Sequence, residues 1–392
     1  MIQSEPKTLS CQRDQFSLPE DVTYLNCSYM GPLLKSVEEA GIGGLRLKRA
    51  PHTIGHQEFF EDVELLRQAF ADIIHADEPR RIVVVPSVSY GMAVVARNLR
   101  IGQGENIVVP GEQFPSNVYP WMKLARQKGA GLRTVNAPEA GENRGKSWNE
   151  HLLEAIDAQT RLVAVAQVHW SDGTRFDLKA LRQRTREVGA LLAVDGTQSV
   201  GALPFDLREV QPDALVCAGY KWLMGPYAIS LAYFGPYFDD GEPLEEGWIS
   251  RHGSEDFSGL VNYQDAYQPA ALRYEMGERS NFIQVPMMLE ALRQIQAWEV
   301  DRIQDYCARL SEPAIAELLR HGYQIEKPTF RGSHLFGVRL PARISMDKLR
   351  KFLAEERVVV SVRGDSVRVS PYLYNKAADL EKLIRCFEAA GQ

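Results

Sequence analysis

The stretch AVDGTQSVGALPFDLREVQPDALVCAGYKWLMGP, residues 193–226, decides the fold. It closes one short apolar run, 191–194, and contains a second, 214–217. Neither run shows polar alternation and both end in glycine-rich turns, the pattern of strands buried on both faces of a parallel sheet. Asp195 and Lys221 therefore stand at or just beyond two strand ends, where open α/β sheets place their ligands. Outward from there, residues 81–86, 106–109, 131–135, 161–168 and 228–234 read as further strands, seven in all. With a helix expected over 147–158, the alternation predicts an α/β fold around a mostly parallel seven-stranded sheet.

A carboxylate and an amine placed in this way suit pyridoxal phosphate. The amine forms a Schiff base with its aldehyde, and the carboxylate pairs with the protonated pyridine nitrogen and keeps the ring an electron sink. In Asp195, Gln198 and the Gly219-Tyr220-Lys221 triplet the chain resembles the class V aminotransferase family, which includes cysteine desulfurases, kynureninases and isopenicillin N epimerase-like proteins. The resemblance implies a fold type I PLP-dependent transferase in which Lys221 and Asp195 are catalytic. It further implies Gln198 as donor to the ring 3-oxygen and Tyr220 as a phosphate contact.

Composition narrows the alternatives. At 392 residues the chain is long enough for two cores, and its 45% apolar content excludes disorder for most of its length. The net charge of −6 comes without long single-sign runs, which argues against a nucleic-acid surface. No apolar run approaches the ~20 residues of a membrane span. The start, MIQSEPKTLSCQRDQ, lacks a basic then apolar leader and points to the cytoplasm. Cys11, Cys27, Cys217, Cys307 and Cys386 form no C-x-x-C, so neither a zinc site nor a disulfide framework is expected. His52, His56 and His75 flank an amphipathic helix read over 57–76 but lack ligand partners at metal spacing.

Further site candidates follow in chain order. Residues 24–33 read as a short strand and turn, and the resemblance, in which this segment lines the substrate entrance, implies Asn26, Ser28 and Tyr29 as candidate contacts. The turn after 81–86 enters a helix, and a hydroxyl with free N–H groups at a helix start binds anions. By the resemblance, Ser89 with the backbone of Val88 and Tyr90 cradles the cofactor phosphate. Phe114 lies where the family stacks a residue on the pyridine ring, and Trp170 replaces an Asn or Tyr beside the cofactor oxygen. His169 and Asp172, in the same loop, are acid/base candidates by position. Residues 235–272 lack periodicity and read as a long active-site loop. RYEMGERSNF, 273–282, resembles the segment that reaches a neighbouring subunit's phosphate, which implies a homodimer and makes Ser280 and Asn281 candidates. In VSVRGDSVRVSPYLYN, 360–375, Arg368 matches the residue that grips the substrate carboxylate, and Arg363 is its rival.

The expected organisation is a large α/β domain over 21–275 and a smaller α+β domain over 285–392, joined by the N-terminal segment 1–20. A long helix over 286–310 leads into the smaller domain. Its strands are expected at 333–340, 358–362 and 366–369, and its helices at 346–355 and 377–389. The implied function is PLP-dependent chemistry on the α-carbon or side chain of an amino acid, by transamination or by lyase chemistry of the kynureninase or C–S lyase type. Epimerisation, or a non-catalytic binding role on the same fold, is the alternative. Cysteine desulfuration is disfavoured because 363–371 holds no cysteine. A Rossmann nucleotide site is excluded by the missing G-x-G-x-x-G after the first strand.

Overall fold

The computed structural model describes residues 8–392; the first residues of the expected leaderless start and joining segment, 1–7, lie outside the described residues. The elements run β1 (Thr23–Tyr24), α1 (Lys35–Arg49), α2 (His56–Ile74), β2 (Ile82–Val85), α3 (Val88–Asn98), β3 (Asn106–Pro110), α4 (Tyr119–Lys128) and β4 (Gly131–Val135). Then come α5 (Arg144–Glu154), β5 (Thr160–Ala166), α6 (Leu178–Val188), β6 (Leu191–Asp195), α7 (Leu207–Val210), β7 (Ala214–Ala218) and β8 (Ser230–Phe234). The remainder is α8 (Gln284–Trp298), α9 (Val300–Arg320), β9 (Phe336–Arg339), α10 (Met346–Glu355), β10 (Val358–Val359), β11 (Ser361–Arg363), β12 (Ser366–Val369) and α11 (Ala377–Gly391).

The main sheet has seven strands in the order β2-β8-β7-β6-β5-β3-β4. All neighbours from β7 to β4 are parallel, whereas β8 runs antiparallel to both β7 and β2. A parallel neighbour needs a long crossover, but an antiparallel one can be reached by a short return. That return, residues 219–229, carries Lys221. Alternate strand residues serve opposite faces. Val84, Val108, Val163 and Val194 pack with Val63 and Phe70 of α2 and Leu292 of α8. Val83, Val85, Ile107 and Val216 pack with Met92 of α3 and Trp121 of α4.

The C-terminal portion is the antiparallel sheet β11-β12-β9, whose core joins Phe336, Val338, Val367 and Val369 to Leu349 of α10 and Leu383 and Phe387 of α11. Residues 23–26, read from sequence with the large domain, belong here instead. β1 pairs in parallel with β10, and Leu25 is part of this core. The expected strand over 358–362 is split at Val360, because β10 pairs with β1 while β11 pairs with β12.

One helical expectation is corrected, and one helix was not read at all. The single helix over 286–310 is two, broken at Glu299, whose φ of 64° leaves the helical region. α9 then passes through Pro313 to Arg320, because Ile303, Cys307, Ala314, Ile315 and Leu318 give it a continuous buried face. No helix was expected over α1, which contains Gly41, Gly43 and Gly44. Glycine lowers helix propensity, but here it permits close packing on α8 and the turn before it: a Cβ on Gly41 would lie 2.7 Å from the Met287 sulfur, and one on Gly44 2.1 Å from the Phe282 carbonyl oxygen. No helix among the described residues is long and apolar enough to cross a membrane.

The two parts are pinned by the loop after β5. Asp172 accepts from Arg144 of α5 and Arg339 of β9, each at 2.7 Å, and from the N–H of Thr174 at 3.0 Å. Burial would push its carboxyl up, but His169 and the two guanidinium groups outweigh burial and hold it well below the usual range. The Asp172→Ala variant strands two cations, and urea denaturation should register a loss of about 3–5 kcal/mol. Since a depressed carboxyl contributes above its unfolded pKa, the wild-type advantage should persist through neutral pH and vanish only in acid well below the carboxylate range.

Candidate active site

The carboxyl ends of the parallel strands open on a cavity of about 270 Å³. Asp195 ends β6, and Lys221 lies three residues past β7. Asp195 Oδ1 accepts the Thr197 N–H at 3.0 Å, and the Thr197 hydroxyl accepts the Ala218 N–H at 3.2 Å, tying the two strand ends together. Burial pushes the Asp195 carboxyl up. Lys221 is only 7% exposed, yet its Nζ has no hydrogen bond or ion pair among the described residues. It faces the rings of Phe114 and Tyr220, 5.6 and 5.5 Å from their centroids. Burial, then the nearby Arg368, brings its pKa down to about 8 against the opposing pull of Asp195.

The backbone around the lysine is fixed from outside. The Gly31 N–H donates to Tyr220 O at 2.9 Å, and a Cβ on Gly31 would stand 2.3 Å from the Lys221 carbonyl oxygen. Gln198 is equally constrained. Its Oε1 accepts from Trp222 Nε1 at 2.9 Å, and because indole only donates, the amide orientation is settled. Its Nε2 donates to Ser28 O at 3.0 Å and keeps a second hydrogen uncommitted.

At the start of α3 the expected cradle is corrected by one residue. The helix cap is Ser87, whose Oγ accepts the Tyr90 N–H at 3.2 Å, so that N–H is taken. The Tyr90 ring packs against both cores and does not line the cavity. Ser89, hydrogen-bonded to Ser87 at 2.9 Å, does line it, and the N–H groups of Val88 and Ser89 have no partner among the described residues. The S-V-S pattern of residues 87–89 offered two caps; only the structure chooses the first.

Phe114 and Trp170 meet edge to face, centroids 5.4 Å apart, on the cavity wall. Trp170 Nε1 donates to Glu112 O at 2.7 Å, and its carbonyl accepts Arg368 Nη1 at 2.6 Å. Arg368 therefore stands directly behind the wall, and Arg363 lies over the Trp170 ring at 5.5 Å.

Other expected residues serve elsewhere. His169 is buried against Ser171 and Gly111 O, and with Asp172 it belongs to the ion cluster rather than the cavity, so neither is placed for acid/base work. Asn26 and Ser28 sit one layer back: Asn26 accepts from Ser361 at 2.8 Å, and Ser28 pairs with Ser370 at 2.8 Å. Tyr29 is exposed and outside the wall. Ser280 bonds Phe59 O, and Asn281 caps α8 at Gln284; both line a separate cavity with Lys48, Phe59 and Trp248. Residues 235–272 hold only short helical turns, but none of them lines the cavity at Lys221, so the expected active-site loop does not form this wall. The sequence reading missed Gln113, Thr197 and Tyr227 on the wall, since isolated polar residues in loops carry no pattern of their own.

The class-V aminotransferase family model matches residues 46–386. Among curated relatives, an uncharacterised aminotransferase, YcbU of Bacillus subtilis (strain 168), is 25% identical over 84% of each chain. Isopenicillin N epimerase of Streptomyces clavuligerus is 24% identical over 96% of this chain and 97% of its own. Bacterial and archaeal cysteine desulfurases also match. Among solved structures, a C-DES variant with glycine covalently linked to its PLP cofactor shares the fold with a TM-score of 0.85, at 20% identity, over 96% of this chain and 98% of that one.

The isolation of Lys221 has a direct readout. In the cofactor-free protein an amine-selective reagent should label it with half-maximal rate near pH 8, whereas exposed lysines require a pH near ~10.4. Peptide mapping after labelling across a pH series checks this.

Proposed function

The chain belongs to the class-V aminotransferase family of pyridoxal phosphate enzymes, and from that premise we propose that it is an amino-acid aminotransferase whose proton-transfer group is Lys221. The observation that carries this reading is a buried, unpartnered amine facing Phe114 across from a buried carboxylate. The groups present fit pyridoxal phosphate. The free N–H groups of Val88 and Ser89, with the Ser89 hydroxyl, suit its phosphate, and Tyr220 flanks the same wall. Phe114 and Trp170 suit its ring and oxygen side, the spare Gln198 hydrogen its 3-oxygen. Asp195, buried and in contact with no cation among the described residues, suits a protonated ring nitrogen. When bound, the cofactor supplies an aldehyde that bonds the substrate amine and a ring that draws electrons from the bonds at Cα.

Arg368 would orient the substrate by its carboxylate, and Lys221 Nζ would take the Cα proton and move it along that one face, whether back to Cα for exchange or onward for transfer of the amino group. Of the other titratable groups on the wall, Asp195 is committed to the ring, and the phenols of Tyr220 and Tyr227 pack on each other beside Lys221, on the lysine's own side. Inversion at Cα needs a second proton donor on the opposite face, so transamination is favoured over epimerisation. Desulfuration needs a thiolate. No cysteine lines the cavity, and burial pushes the Cys27 and Cys217 thiols up. All five cysteines are free, in keeping with a reducing cytoplasm.

We also infer a homodimer. Ser280 and Asn281 are away from their own chain's Lys221, so any cofactor they meet belongs to a second copy. The exposed Tyr227, Trp248, Val261 and Tyr263 give that copy apolar surface to cover.

The test is the yellow holoprotein. Borohydride should fix the chromophore onto the Lys221 peptide, and amino groups should pass to a 2-oxo acid acceptor. In deuterium oxide the substrate's α-hydrogen should exchange with retained configuration. Lys221→Ala should cost turnover about 10²–10⁴-fold. A racemic product would replace this reading with epimerisation, and a protein that takes up no cofactor would refute both.

A further inference from the structure

β11 and β12 form a hairpin turning at Gly364 and Asp365, in a register that sets Ser361 opposite Arg368 and Arg363 opposite Ser366. Side chains alternate along a strand, so these four share one face. The two arginines are diagonal neighbours, at a spacing of about 7–8 Å. Like charges so placed repel unless an anion lies between them.

Each guanidinium group is short of partners. Arg368 is 1% exposed; Nη1 donates to Trp170 O at 2.6 Å, Nη2 reaches Ser361 Oγ at 3.4 Å, and buried Nε has no partner. Arg363 Nη1 donates only to Val362 O, at 2.9 Å, and its Nε is also buried without a partner. Ser366 Oγ, on the same face, is a third unmet polar atom. No carboxylate pairs with either arginine among the described residues. Asp365, between them in sequence, lies 3.7 Å from Arg339 instead. The charges of both arginines are felt at Lys221.

One substrate α-carboxylate answers one of these cations and leaves the other. We propose that Arg363 and Arg368 form a two-site anion clamp, and that the substrate is an amino acid with a second carboxylate on its side chain, held by Arg363. This rests on the preceding reading that an amino acid binds at Lys221.

The test measures binding without turnover. Calorimetry on the holoprotein compares succinate and glutarate with butyrate, none of which has an amine. The better diacid should bind roughly 10–100-fold more tightly than butyrate. Arg363→Gln should erase that preference, bringing the diacid to the affinity of butyrate in the same variant, and Arg368→Gln should weaken both. Arg363→Lys, which keeps the charge and loses the planar fork, should retain part of the preference and guards against a folding defect in the glutamine variant. Equal binding of diacid and monoacid, or a preference that survives Arg363→Gln, would overturn the clamp and leave the borohydride result at Lys221 standing. A protein that prefers diacids but takes up no pyridoxal phosphate would support the clamp while refuting the aminotransferase reading.

Discussion

An amine held out of water with nothing to pair it is the constraint the cavity is built around. A shift of the Lys221 pKa from 10.5 to about 8 means its charged form is disfavoured there by about 3 kcal/mol relative to water. A flexible side chain would relieve this by swinging outward, so the backbone beneath it has to be rigid. The reversal of β8 supplies that rigidity, because the β7–β8 return closes on itself: Gly219 and Ile229 pair at 3.0 Å, and Gly225 donates to Gly219 at 2.9 Å. Met224 and Ala228 take left-handed φ values of 53° and 64° in the same return, strain of the kind that collects at functional sites. A neutral amine is the nucleophilic form, so the cost of burial is also what readies the group.

A second dependence runs between the two parts of the chain. Arg368 reaches Ser361, Ser361 donates to Asn26, Ser28 pairs with Ser370, and Gln198 donates to Ser28 O. Asn26 and Ser370 are themselves bridged. The hairpin that would hold the substrate and the residue that would meet the ring are thus joined through the 23–28 segment. Its polar residues hold the wall rather than form it, which is why a reading that sought contacts there was off by one layer.

The inner strands were legible because burial on both faces leaves an unbroken apolar signature: 106–109 and 214–217 fall within β3 and β7, every residue of which is buried. Strand ends placed Asp195 and Lys221, the resemblance to the family added Gln198 and Phe114, and all four line one cavity. What escaped depends on tertiary contact. The glycines of α1 argue against a helix until Phe282 is seen packed on them, and Pro313 suggests an end to α9 until the buried face beyond it is seen. The break at Glu299 leaves no local mark, since Trp298 is fixed by Phe16 and Tyr372, distant in sequence. Ser87 and Ser89 are equivalent as letters and differ only in which one precedes the first helical residue.

The charge around the substrate side of the cavity follows from the same architecture. Asp172 lies two residues from Trp170, but Arg144 and Arg339 hold it in the joint between the two parts. Arg339 also draws Asp365 away from Arg363. By committing these acids to structure, the fold leaves Arg363 and Arg368 uncompensated beside Lys221, where repulsion among three cations lowers the lysine's pKa further than burial alone. An incoming anion would reverse that effect. Its carboxylates would relieve the arginines and, in the same step, raise the proton affinity of Lys221 as the group is called on to accept a proton from Cα.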